Sequence, residues 1–74
     1  MALSRREGTV IVLEAGVYFP MMDSRRRLRV TAVHTRAGFR KLFGRNELTH
    51  DEQRALFWQY REEIEKLASN VYEA

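Results

Sequence analysis

The chain has 74 residues, 45% of them apolar and 31% charged, with one proline and no cysteine. These values exclude collagen, a disulfide scaffold and a wholly disordered chain, and leave one small domain that must form its core without a covalent staple. Thirteen Lys and Arg against ten Asp and Glu give +3, but the charge is two-sided: +7 through Asn46 and −4 after it.

The longest apolar stretch, Val17 to Met22, is six residues, against roughly 20 for a membrane span. Met1 to Leu3 runs at once into Ser4, Arg5, Arg6 and Glu7, with none of the apolar run of a secretion signal. The expectation is a cytoplasmic protein with no membrane contact.

Taken in chain order, residues 1–8 read as a flexible N-terminus and residues 9–74 as a single small α+β domain. Thr9 to Leu13 is a β-branched run between Gly8 and Glu14-Ala15-Gly16, which predicts a first strand and a turn. Val17 to Met22 follows as a second strand, and Pro20, which lacks a ladder donor, places it at an edge or a bulge. Asp23, Ser24 and Arg25 form the next turn. From Arg27 to His34 the residues alternate, so Leu28, Val30 and Ala32 are expected on the core face and Arg27, Arg29 and Thr31 on a wet face.

Thr35 is placed to cap a short helix with Phe39, Leu42 and Phe43 on one stripe, ending at Gly44. Thr49 and Glu52 have capping-box spacing, and one long helix is predicted from there nearly to the end of the chain. Its core stripe would carry Phe57, Tyr60, Ile64, Leu67, Ala68 and Val71, with Leu56 and Tyr72 at the margins. The expected fold is a small antiparallel sheet of two or three strands packed on a short helix and a long C-terminal helix, with Leu28, Phe39, Phe57 and Ile64 in the core.

Little in the chain suits catalysis. With no Cys and two histidines, neither Ser4, Ser24 nor Ser69 has the base that an activated nucleophile needs. His34 falls at a strand end and His50 in a first helical turn, the ordinary settings of structural histidines. His50 has Gln53 and Arg54 at the positions where a helix would place a second metal ligand. The glycines form no phosphate-binding loop. No enzyme, cofactor or metal site is expected.

Two surfaces remain. Trp58 lies off the predicted apolar stripe with Arg54 one turn before it and Arg61 three residues after, so it is either a partner contact made by Trp58, Arg54 and Arg61 or a ring covered by an arginine. Eight cations and no carboxylate fall between Arg25 and Arg45. Of these, Arg25, Arg26, Arg27, Arg29, Arg36 and Arg40 would form the contact if the chain bound an anion or nucleic acid. The leading expectation is a non-enzymatic interaction module that binds another copy of itself or another protein, with Trp58 or the exposed sheet edge as the contact, and the alternative is a small nucleic-acid-binding regulator.

The strand VYFPMMD, the strand-to-helix segment LRVTAVHTRAGFRKLFG and the final ALFWQYREEIEKLA carry a family likeness. Over Val17 to Tyr72 the chain resembles the small bacterial family catalogued as domain of unknown function 1488. It departs from the family's usual Ser and acidic residue at the first helix, where His34, Thr35 and Arg36 stand, and has Gly38 in place of a better helix former. The resemblance implies a compact bacterial α+β protein without an assigned activity, and no catalytic residue carries over.

Overall fold

A computed structural model describes residues 3–44 and 48–73. The fold is α+β: a four-stranded antiparallel sheet and three helices, the last one long and C-terminal. The strands are β1 (Leu3–Arg5), β2 (Ile11–Leu13), β3 (Gly16–Asp23) and β4 (Leu28–Thr35), and the helices α1 (Arg36–Phe43), α2 (His50–Gln59) and α3 (Arg61–Glu73).

The fourth strand is β1, within the stretch read from sequence as a loose N-terminus. Three residues are too few for a pattern, and tertiary contacts hold them: Leu3 is buried and its N–H donates to the buried Ser69 hydroxyl of α3 at 3.1 Å. Such a buried donor must be matched or its desolvation is uncompensated.

Pro20 lies in the central strand rather than at an edge. Arg36 N–H donates to Ala15 C=O, which extends the β3–β4 register, Gly16 opposite Thr35, by one pair and sets the phase of the ladder. By antiparallel alternation the even-numbered residues of β4 bond β3, and Pro20 opposite Thr31 is a non-hydrogen-bonded pair. The proline nitrogen therefore faces the other flank of β3. There β2 ends its pairing at Tyr18 and β1 begins at Met21, so no strand needs the missing donor.

Gly16 closes the β2–β3 hairpin at φ +154°, and a Cβ there would lie 2.8 Å from the Thr35 Cα. Gly16→Ala is expected to cost about 1 to 2 kcal/mol through backbone strain and the clash, read as a lower urea midpoint.

The helices form where their caps dictate. Thr35 accepts from Gly38 N–H at 3.0 Å, and Gly44, at φ 67°, caps the end of α1. Thr49 and Glu52 make the reciprocal capping box of α2, both bonds at 3.1 Å. The single long helix expected after Thr49 is in fact two, broken at Tyr60 (φ −113°, ψ 27°). No proline or glycine is involved, and the break leaves Tyr60 N–H on Leu56 C=O and Ile64 N–H on Tyr60 C=O. It lets α2 lie over β2 and β3 while α3 lies over β1 and β4.

The core is Leu3, Val17, Phe19, Met21, Phe39, Leu48, Phe57 and Ile64. Leu28 is not part of it. At 50% exposure it sits opposite Asp23 at the start of β4, where α3 is finishing: Tyr72 O–H donates to Asp23 Oδ2 at 2.8 Å. Leu42, Leu67 and Val71, also expected in the core, are 46%, 43% and 76% exposed. The break at Tyr60 resets the phase of the helix, so α3 turns Ile64, Glu65 and Ser69 inward instead.

Candidate interaction surface

β4 is an edge strand; among the described residues it pairs only with β3. The ladder phase leaves the backbone N–H and C=O groups of Arg29, Thr31 and Val33 directed outward. Eight residues is a long edge, and it carries neither proline nor, from Val30 to Val33, any charge. Natural edges of this length are usually blunted, because they template pairing with another strand.

A groove of about 760 Å³ runs along that edge. Consecutive residues Val30 to His34 line it, so it follows the strand itself and not one face alone. One wall is α1, with Gly38, Lys41 and Leu42, and the other is α3, with Leu67, Ala68 and Val71. Leu67 and Val71 are four positions apart and Ala68 and Val71 three, the spacings of one helix face.

His34 closes the upper end of the groove. Its ring meets Phe39 edge-on at 4.4 Å between centroids, and burial lowers its pKa from the usual histidine value, favouring neutral imidazole. Its Nε2 is buried and unpaired. Gly38 permits this placement, since a Cβ at that position would stand 3.2 Å from Nε2. No group of three or more His, Cys, Asp or Glu that could hold a metal occurs among the described residues.

The outer sheet face is less wet than its alternation suggested. The register places Arg29 and Thr31 beside Met22, Pro20, Tyr18 and Val33, with Ile11 and Leu13 of β2 alongside. Ile11, Leu13 and Val33 are each nearly half exposed.

Trp58 is 53% exposed, and Arg61 covers it. The guanidinium carbon stands 4.9 Å from the Trp58 ring centroid and 5.5 Å from that of Phe57. Arg61 also donates through Nε to Glu65 at 3.0 Å. Arg54 is exposed one turn earlier.

The six arginines do not gather. Arg25, Arg26 and Arg27 occupy the exposed β3–β4 turn, with Arg27 in the left-handed region at φ 55°. Arg26 is held by Asp23, its N–H donating to Oδ1 at 3.1 Å. Arg29 is exposed on the outer face near that turn. Arg36 and Arg40 lie in α1, past the other end of β4, about 23 Å away along the strand. Arg36 is half-buried and donates inward to Leu48 C=O at 3.2 Å. Arg45 lies outside the described residues.

The sequence offered an exposed sheet edge as a contact but did not give β4 as the strand that supplies it, nor the groove along it. The signal that could have found them is the pair Leu67 and Val71, four apart, beside Ala68 on one helix face wider than the core below could use.

No family model, curated protein or solved structure matches the chain. No helix among the described residues is long and apolar enough to cross a membrane.

Proposed function

We propose that the chain is a non-enzymatic interaction module that acts by self-association. The observation that carries this is the unblunted eight-residue β4 edge with an apolar groove along it. Five large apolar side chains border that region with about half or more of their surface in water: Leu28, Val33, Leu42, Leu67 and Val71. Apolar clusters of this kind on a small domain mark a contact with protein. Small size supports the same reading, since a chain this short gains core by associating.

Trp58 stands outside this contact, on α2 over β2 and β3. Its ring already has a cation over one face and meets Phe57 edge-on at 5.7 Å between centroids. Sedimentation velocity over a dilution series of the full chain is expected to show a concentration-dependent rise from monomer to dimer mass. A monomer at every concentration to about 1 mM would overturn the reading.

The nucleic-acid alternative draws on the exposed guanidinium groups of Arg25, Arg26, Arg27 and Arg29 at one end of the sheet. Stacking support there is thin: Tyr18 is opposite Val33, four residues along the strand from Arg29. Salt-dependent anisotropy with labelled DNA and RNA, repeated on Arg27→Glu with Arg29→Glu, separates the two readings.

A further inference from the structure

Self-association alone leaves the geometry of the contact open; the β4 edge specifies one, and that geometry depends on the self-association reading. We infer that the partner is a second copy of this chain, joined by antiparallel pairing of the two β4 strands about a two-fold axis at Thr31. The two four-stranded sheets become one continuous sheet.

Three features of the chain favour its own copy over another occupant. First, of the outward residues Arg29, Thr31, Val33 and Thr35, the last is the N-cap of α1, and the other three are symmetric about Thr31. Centring the axis there lets Thr31 exchange both backbone bonds with Thr31 of the second copy, and Arg29 with Val33 of the second copy. An isologous contact requires this self-complementarity.

Second, the side chains agree with that register. On the groove face Val30 meets Ala32 of the second copy, a close apolar pair. On the outer face each Arg29 lies opposite a valine and never opposite the other arginine, so no like charges are opposed.

Third, the apolar borders of the groove meet across the axis. Helix α1 begins at the Thr35 end of β4 and puts Leu42 on the groove, and α3, which ends near the Leu28 end where Tyr72 reaches Asp23, puts Leu67 and Val71 there. A two-fold axis at Thr31 exchanges the ends of β4 and sets α1 of each copy beside the last turns of α3 of the other. The same exchange brings Leu42 of one copy toward Leu67 and Val71 of the other. Those side chains supply apolar area beyond the strand ladder, toward the roughly 800 Å² per copy that a stable dimer needs.

The test uses the full chain, which contains no cysteine. A hydrogen-bonded antiparallel pair sets its Cα atoms about 5.5 Å apart, within the span a disulfide bridges. Under mild oxidation Thr31→Cys is expected to form a covalent dimer at least about tenfold faster than Trp58→Cys. Thr31→Pro removes only an outward N–H, because that residue bonds nothing in β3, and an edge tolerates proline. It is expected to weaken self-association about tenfold or more while the circular dichroism stays that of the parent.

A wild-type chain that dimerises while Thr31→Cys cross-links no faster than Trp58→Cys overturns the β4 geometry and leaves self-association standing. A wild-type chain that is monomeric throughout overturns both. Should Thr31→Pro fail to fold, the cross-linking rates alone decide, since Thr31 is exposed and its cysteine variant disturbs no packing.

Discussion

Phe57→Ala is expected to lower the stability of the domain by about 3 to 5 kcal/mol. The ring is fully buried and lies 5.0 Å from that of Phe19 on the central strand, so its loss opens a cavity between the helix layer and the sheet. Backbone at that interface is held by β3 and by two helices, and little of it can collapse inward to fill the space. Natural domains hold about 0.05 to 0.15 kcal/mol per residue, which for this length is about 4 to 11 kcal/mol in all. One substitution thus removes a large share of it. Leu28→Ala, by contrast, is expected to cost less than about 1 kcal/mol, because half of that side chain is already in water. Urea unfolding in dilute solution compares the two directly, and equal losses would refute the placement of the core.

The contrast between Phe57 and Leu28 marks where the sequence was legible. Capping chemistry was readable because it is local: Thr35, Gly44, Thr49 and Glu52 each act within a few residues of themselves, and all four perform the predicted role. The alternation of β4 gave the correct faces for Val30 and Ala32. It could not report that the helix layer ends before Leu28, since that depends on where α3 stops. Pro20 was misplaced for a related reason. The rule that proline avoids central strands concerns the missing N–H, and here the flank that would need it holds two short strands with a gap between them. A gap of that kind is a property of chain topology.

The helix phase is the costlier error for function. Carrying one stripe across Tyr60 assigned Leu67 and Val71 to the core and so removed from view the apolar residues that border β4. Glu65 and Ser69, polar residues that simple periodicity puts outside, are buried instead, and both hold β1: Ser69 through the Leu3 N–H, Glu65 through Arg5. The short N-terminal strand and the rotated helix are thus one arrangement. Either alone would leave a polar group buried without a partner.

Glu65 therefore carries the second large effect. Arg5 grips its carboxylate in a two-point contact, Nη2 to Oε1 at 2.8 Å and Nε to Oε2 at 2.9 Å, while Arg61 donates at 3.0 Å from the same helix. Burial by itself would push the carboxyl up. The hydrogen bonds from Arg5 and then Arg61 outweigh it and hold the group below its ordinary value of 4.5. Breaking a buried pair costs about 3 to 5 kcal/mol. The Arg5 side chain is half exposed and solvent weakens its share, so Glu65→Gln is expected to cost about 2 to 3 kcal/mol near pH 7. Because the folded pKa is the lower one, this stability is present above the unfolded value and drains away as pH falls from about 4.5 through the folded pKa. The gap between wild type and Glu65→Gln should therefore narrow on acidification. Asp23 is lowered in the same direction, first by the Arg26 N–H and then by the Tyr72 hydroxyl, so the variant keeps a residual acid limb of its own. Unfolding midpoints from pH 7 to about 3 test this, and a gap that stays constant over the range would show that Glu65 holds β1 through shape and packing instead of charge.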